Sequence, residues 1–289
     1  MISPDWLGGR KRQKTSDGLG DLIDDAKEDD RVMAKFVPYL PKEHIERDAA
    51  ALLAEYEQRR GVAIQPPIPI DDIVEKHLKL RIEFDDIHRR YDVPRGPEGD
   101  ADILGAMFFD EGKIVIDESL DPEESPSKEG RYRFTLAHEG GGHWRLHRHL
   151  FAKNPAQATL FGGPAAPSVV CRSSQVKEPV EWQADFYASC LLMPRKQVLA
   201  VWAEMFPDRK PRVLQSYSPI DHPFVEVPRG GQQTGDVDNA ESDENALDRV
   251  ARPLAGRFLV SAIAMRIRLE TLGLLLRDVP QQRILTSGV

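Results

Sequence analysis

The stretch AHEGGGHWRLHRH, residues 137–149, contains His138 and Glu139 side by side and His143 after three consecutive glycines. Metal-binding helices of the H-E-x-x-H type have their two histidines four residues apart, which puts both on one face. An α-helix turns about 100° per residue, so residues five apart, such as His138 and His143, differ by about 140°. A regular α-helix would therefore direct these two imidazoles to different sides.

The glycines at 140–142 offer a way to bring the two imidazoles together. They permit a π-bulge or a local unwinding that absorbs one residue, and such bulges are frequent at functional sites. Three glycines inside a helix cost about 2–3 kcal/mol relative to alanine, and a metal site would explain their presence. A second register pairs His143 with His147, but it leaves Glu139 outside the pair. We favour the first register and interpret His147 and His149 as supporting or surface groups.

A catalytic zinc site needs a third protein ligand and an open position. The segment EWQAD contains Glu181 and Asp185, which are four residues apart and share a helical face. Glu181 could bind the metal while Asp185 accepts a hydrogen bond from the outer nitrogen of a ligand histidine. Taken alone, both carboxylates are typical of ordinary solvated charges. The metal interpretation gains support because an apolar stripe at Val180, Ala184 and Ala188 would pack their helix against the histidine helix.

Composition limits the class of protein. The chain has 289 residues, a net charge of -8 and 30% charged residues, and its longest apolar runs fall short of the roughly 18–20 residues that cross a bilayer. The start, MISPDWLGGRKRQKTSDG, lacks the apolar region of a secretory signal, so we expect a cytoplasmic protein without membrane segments. The acidic balance argues against a broad nucleic-acid surface. Cys171 and Cys190 cannot form a disulfide framework, and we expect inert thiols.

Four segments are expected along the chain: a disordered tail at 1–37, a main domain at 38–206, a flexible linker at 207–245 and a C-terminal helical segment at 246–289. The tail mixes opposite charges, and the linker includes GGQQTGDVDNAESDEN. The C-terminal segment is expected to form two helices.

Within the main domain, the sequence predicts an α+β fold. KEHIERDAAALLAEYEQRRG has an apolar helical face and a stop at Gly61, and PPIPIDDIVEKHLKLRIEF predicts a short helix and a strand. ILGAMFFD and GKIVIDESL predict a hairpin, which could supply an edge strand for an extended peptide, although packing alone explains it equally well. Residues 153–177 are expected to be a loop. The expected architecture is a small, mostly antiparallel sheet beside a helical bundle that contains both metal-bearing helices.

RFTLAHE, HWRLH and EWQADFYASCLLMP resemble the ImmA/IrrE-type metallopeptidase domain, whose pattern is approximately RFTLAHELGHxxLH followed by ExxANxFAxxLLMP. The similarity extends to PPIPIDDI, GKIVID and FLVSAIAMRIRLETLGL, and so covers about residues 38–206 and 246–276. The resemblance implies a zincin-like core with Zn²⁺. By position, His138 and His143 match the histidine ligands, Glu139 the general base and Glu181 the third ligand.

The chain departs from this pattern by one glycine, since the family has two residues between the glutamate and the second histidine. Over HEGGGH, residues 138–143, it is similar to the HExxGH motif of the dipeptidyl-peptidase III enzymes, where a five-residue spacing holds zinc. An enlarged motif is therefore compatible with a metal site.

Three functions compete at this stage. The resemblance implies a zinc-dependent endopeptidase, commonly one that cleaves a helix-turn-helix transcriptional repressor. The alternative is a catalytically inactive protein-binding or regulatory module that retains the peptidase fold. A third reading gives DNA binding to the C-terminal arginines, although arginines on an amphipathic helix are usually a solvated face: Arg252, Arg257, Arg266, Arg268 and Arg277. Tyr187 is one of several candidates for stabilising an oxyanion.

Overall fold

The computed structural model describes residues 37–90, 103–151, 169–172, 179–213 and 243–277. Its first helix, α1 (Lys42–Arg60), ends where Gly61 adopts a φ of 66° and its N–H donates to the Glu57 carbonyl. All five apolar residues of the face predicted for this helix are buried: Ile45, Ala49, Leu52, Leu53 and Tyr56. The predicted helix and its stop are confirmed.

A four-stranded sheet forms the β part of the fold. Its strands are β1 (Arg81–Asp85), β2 (Ile103–Phe108), β3 (Lys113–Asp117) and β4 (Val169–Arg172). The spatial order is β1-β3-β2-β4; β1 pairs with β3 in parallel, and the other two pairings are antiparallel. The predicted hairpin of β2 and β3 is confirmed.

The structure answers one question about this sheet that the sequence left open, and it corrects one expectation. The hairpin occupies the centre of the sheet, with every residue of β2 and β3 buried, so the edges are β1 and β4. The hairpin therefore does not supply an edge strand, and packing alone, the other interpretation that the sequence left open, accounts for it. Residues 169–172, expected to be in a loop, form β4 because β2 supplies a partner that cannot be seen in the local sequence.

Helices and short turns make up most of the remaining described residues. The other helices are α2 (Ile70–Asp72), α3 (Ile87–Arg90), α4 (Glu129–Ala137), α5 (Arg148–Phe151), α6 (Pro179–Leu192), α7 (Arg195–Met205), α8 (Asp243–Phe258) and α9 (Ala262–Thr271). Two segments are π-helical, Ile73–His77 and His138–His147, and we call the second one the π segment. Short 3₁₀ turns occupy Glu118–Leu120 and Pro126–Lys128.

The helix α6 packs its predicted apolar stripe into the core. Val180, Ala184 and Ala188 are all buried, as the sequence predicted, and they lie on the helix that carries Glu181. The stripe therefore holds the carboxylate-bearing helix against the interior of the molecule.

The helices α8 and α9 confirm the predicted C-terminal helix pair and join the same core. Leu254 and Phe258 are fully buried. Arg268, only 1% exposed, donates to the Met193 carbonyl at 2.9 Å and pairs with Glu46 of α1 at 2.5 Å. The C-terminal helices are thus fastened to both α6 and α1.

The thiol of Cys190 lies in the same contact. It is buried, accepts a 3.4 Å hydrogen bond from Arg268, and has its pKa raised by burial to about 11. A thiol with this pKa is protonated near neutrality, in agreement with the expected inert group. The side chain of Cys171 lies outside the described part of the chain.

Two short strands, β5 (Arg212–Val213) and β6 (Leu275–Leu276), pair in parallel. β5 falls in the part of the expected linker that is described; residues 214–242, like 1–36 of the expected tail, lie outside the description.

The fold is α+β, mostly helical with a small mixed sheet, so the predicted class is confirmed at this level. Among the residues that the structure describes, every helix is too short or too polar to span a bilayer.

Candidate metal centre

The π segment brings His138 and His143 to one face. Its hydrogen bonds join residues five apart, so a five-residue spacing returns to the same side of the helix. The Nε2 atoms of the two imidazoles lie 3.0 Å apart. The helix irregularity that the glycines predicted is present. It brings together two imidazoles that a regular α-helix would direct to different sides.

The glycines of the π segment also permit close packing. A Cβ atom at Gly142 would lie 2.5 Å from the Cα of Ala184, and one at Gly141 would lie 2.7 Å from the ring of Tyr187. A Cβ atom at Gly140 would lie 2.8 Å from a methyl group of Val74. Side chains at positions 141 and 142 would push the π segment away from α6, so these two glycines set the distance between the two helices that carry the site.

Glu181 reaches the two imidazoles from α6. Its Oε2 lies 3.2 Å from His138 Nε2, and its Oε1 lies 3.5 Å from His143 Nε2. Ligand atoms of a tetrahedral ion with bonds of about 2.0–2.2 Å lie about 3.3–3.6 Å from one another. Burial raises the pKa of Glu181, but the charges and hydrogen bonds of His143 and His138 outweigh it and hold that pKa well below its ordinary value. Glu181 is therefore an anion facing two ring nitrogens.

Asp185 sets the tautomer of His138. Its Oδ1 lies 2.9 Å from His138 Nδ1, and the carboxylate accepts the hydrogen that this nitrogen carries. The Nε2 atom of His138 then presents a lone pair to His143 and Glu181. This is the arrangement of a ligand histidine oriented by a carboxylate.

Glu139 is fully buried between the π segment and β2. A Cβ atom at Gly105 would lie 2.8 Å from its Oε1, so the glycine in β2 makes room for the carboxylate. Within the described residues, neither oxygen of Glu139 has a hydrogen-bond partner. Burial raises the pKa of this carboxyl group. A buried carboxylate in this state requires a proton, a cation or a water molecule to compensate its charge.

A metal ion fits these residues. His138, Glu139 and His143 each offer a ligand atom within 4.8 Å of the others, and all three are buried. The Glu181 carboxylate lies beside the same two imidazole nitrogens. This cluster could hold a metal ion.

His147 supports His143 and does not form a second register. Its Nε2 lies 3.0 Å from Gln183 Oε1, and its Nδ1 lies 3.4 Å from His143 Nδ1. Burial lowers the pKa of His147 to about 4, so its ring is neutral near neutrality. His149 is exposed, as expected for a surface group. Gln183 was missed in the sequence, where a glutamine beside an apolar stripe carries no signal for a histidine partner.

The hydroxyl of Tyr187 is hydrogen-bonded to helix α1. Its hydroxyl donates to Asp48 Oδ1 at 2.8 Å, and the same carboxylate pairs with Arg145 at 3.2 Å. The ring packs on Gly141. With its hydroxyl bound to Asp48, Tyr187 links α6 to α1, and its role as a candidate for stabilising an oxyanion stays a prediction.

Neither a protein-family profile nor a curated protein sequence matches the chain.

Proposed function

We propose that this protein is a zinc-dependent endopeptidase with a zincin-like core. The observation that carries the proposal is the convergence of His138 Nε2, His143 Nε2 and the Glu181 carboxylate beside the buried, unpartnered Glu139. The resemblance to the ImmA/IrrE-type metallopeptidases points to the same residues and to the same chemistry.

Zinc suits the donor set. Two imidazoles and one carboxylate are the ligands of several catalytic zinc sites, which keep one further position open. The same set also occurs in non-haem iron enzymes. A second carboxylate favours zinc over iron, because a glutamate directly after the first ligand histidine is the general base of zinc peptidases. Glu139 occupies that position.

Each of these side chains would have a different role in catalysis. His138, His143 and Glu181 would hold the ion, and Asp185 would keep His138 in the correct tautomer. When bound, zinc supplies a Lewis acid that polarises a carbonyl group and makes water more acidic. Glu139 would take a proton from the attacking water at a carboxylate oxygen and pass it to the leaving nitrogen.

The substrate class is a protein, and the resemblance suggests a helix-turn-helix transcriptional repressor. DNA binding by the C-terminal arginines receives little support from their contacts. Four of the five arginines lie beside carboxylates, in the pairs Arg257–Glu204, Arg266–Asp248, Arg268–Glu46 and Arg277–Glu270. Each of these carboxylates would compete with a phosphate for the arginine.

Metal analysis and hydrolysis together test the proposal. The wild-type protein, purified and then given zinc, should hold about one ion per chain and cleave a repressor or an unfolded protein. Glu181→Ala should lose the ion and the activity. Glu139→Gln should keep the ion and lose the activity, since an amide cannot take the proton.

The same measurements recognise the alternative. Wild-type protein that holds no metal after zinc is offered, and cleaves nothing, is the result expected of a binding module that retains the peptidase fold. Iron in place of zinc, with no hydrolysis, would also contradict the proposal.

A further inference from the structure

A cavity of about 600 Å³ opens beside the metal centre, between α4, α6 and α9. His138 and Asp185 are part of its wall, so the cavity adjoins the candidate site. Its size falls within the range of pockets that bind ligands. Most of the remaining large side chains in the wall are apolar: Leu104, Phe134, Trp182, Phe186, Ile263 and Ile267.

The cavity extends from His138 and Asp185 along both ligand-bearing helices. On α4, Phe134 and Thr135 come four and three residues before His138, which places them on the same helical face. On α6, Asp185 and Ser189 follow Glu181 at intervals of four residues. A peptide with its scissile bond at the metal centre would therefore have a neighbouring side chain in reach of this cavity.

The walls suit a large apolar group. The rings of Trp182 and Phe186 lie nearly parallel, with centroids 5.7 Å apart and planes at 7°. Opposite them, α9 presents Ile263 and Ile267, which are 54% and 51% exposed. The small side chain of Ala264 lies in the same wall and leaves the space open. An apolar group in this space would cover both isoleucines and displace water from the rings.

We propose that this cavity binds a large apolar side chain of the substrate, aromatic or aliphatic, next to the scissile bond. This inference rests on the proposed peptidase function and deepens it by naming the substrate class. It also gives α9 a role in specificity, because the C-terminal helix supplies one wall and sets the width of the subsite.

Cleavage of defined peptides tests the subsite. The probes are octapeptides of one alanine-rich sequence that differ at a single position, which is Phe, Leu or Ala, with the cut bond identified by mass spectrometry. The zinc-loaded full chain should cleave beside Phe or Leu with kcat/KM at least about tenfold above that for Ala. Ala264→Phe should remove this preference by filling the space, so that the three peptides are cleaved with similar kcat/KM. Ile267→Asp should also remove it, by making the wall polar without filling the space.

Leu199→Asp is the matched control. Leu199 is an exposed leucine on α7, 42% accessible, and is not part of the cavity wall. Its replacement should leave the preference as in the wild type. Equal kcat/KM for all three peptides in the wild type, or a preference that survives both α9 variants, would overturn the subsite while the peptidase stands.

A binding measurement separates the subsite from the hydrolytic function. Trp182 lies in the cavity wall, so its emission should shift when the phenylalanine peptide is added to the Glu139→Gln protein. The shift should be absent in the double variant Glu139→Gln/Trp182→Phe. Peptide binding by this measure with no hydrolysis by the wild type would overturn the peptidase and keep the cavity as a site for apolar side chains. No shift with any peptide would count against the cavity itself.

Discussion

At the scale of single residues, the burial of the Glu139 carboxyl group is energetically unfavourable. This group is fully buried, and neither of its oxygens is hydrogen-bonded within the described ranges. Burying an ionised carboxylate without a partner costs several kcal/mol, which the protein avoids by raising the pKa or by binding a cation. Glu139, which we propose as the general base, therefore also makes the stability of the fold depend on the proton or cation bound beside it.

The space for Glu139 depends on Gly105. In Gly105→Ala the new methyl group would lie 2.8 Å from both Glu139 Oε1 and Thr135 Cγ2, so strand β2 and helix α4 must separate slightly. We expect the unfolding free energy to fall by about 1–3 kcal/mol. Hydrolysis should fall at least tenfold (about 1.4 kcal/mol) with the metal retained, as measured by urea unfolding, metal analysis and kinetics.

Gly256→Ala on α8 serves as the control for this change. No atom lies within 4 Å of a Cβ built there, so the helix should gain about 0.5–1 kcal/mol and the rate should not change. Equal effects of the two substitutions would show that the contact with Glu139 is unimportant.

At the scale of elements, the π segment joins the glycine run to the site. Its hydrogen-bond pattern brings His138 and His143 together, and its glycines allow α6 to approach closely enough for Glu181 to reach them. Helix geometry and helix packing thus both bring His138, His143 and Glu181 together. Each would be lost if the segment became an ordinary α-helix with larger side chains.

Gly142→Ala tests the packing without changing a ligand. The added methyl group would lie 2.5 Å from Ala184 Cα and Cβ, where backbone and a short side chain cannot yield. We expect α6 to move outward, zinc affinity to fall at least tenfold (about 1.4 kcal/mol) and the unfolding free energy to fall by about 2 kcal/mol or more. Metal titration measures the zinc affinity, and calorimetry measures the unfolding free energy. Unchanged zinc affinity would mean that the helix spacing does not set the site.

The elements also show what the sequence could and could not predict. The periodicity of α1 identified all five buried positions, and the spacing of His138 and His143 around glycines indicated the π irregularity, because both signals are local. The strand β4 was missed since its partner β2 lies more than sixty residues earlier. The contacts of Gln183 with His147 and of Gly105 with Glu139 were missed for the same reason.

At the scale of the whole molecule, the C-terminal helices complete the unit that carries the candidate metal centre. Arg268 connects α9 to Glu46 near the start of α1 and to the end of α6, and it is almost fully buried. Removing one partner of a buried pair leaves an uncompensated charge. This contact therefore links the first and last described α-helices to α6, the helix that carries Glu181.

Glu46→Gln should destabilise the protein by about 1–3 kcal/mol near neutral pH, a value reduced because Glu46 is partly exposed. Burial raises the pKa of Glu46, but Arg195 and Arg268 outweigh it and leave that pKa below its ordinary value of 4.5. The stabilisation is thus present above about pH 4.5 and is lost as the pH falls through the lowered pKa. Unfolding of both proteins across this range should show their difference shrinking in acid.

The exposed pair of Arg257 and Glu204 provides the control for that experiment. Both side chains are more than half exposed, so Glu204→Gln should cost less than about 0.5 kcal/mol at any pH. A difference for Glu46→Gln that is equally small would show that the buried contact contributes little.

A fragment of residues 38–206, the main domain expected from the sequence, should not fold. Without α8 and α9 it would expose the core surface that Leu254, Phe258 and Leu269 cover, and Glu46 would lose Arg268. We expect aggregation or a loss of cooperative thermal melting, compared with a cooperative transition for residues 38–289. A fragment that melts cooperatively would show that the helices are accessory.

The hydrogen-bond pattern around His138 and His143 has a consequence for how such sites arise and are found. A π turn accommodates one inserted amino acid while the residues before and after it keep their orientation. A single-codon insertion is therefore compatible with an intact ligand set, provided that the new residue is small where the neighbouring helix approaches. Searches that require a fixed interval between two histidines will overlook proteins of this kind, whereas searches on the separation of their ring nitrogens will find them.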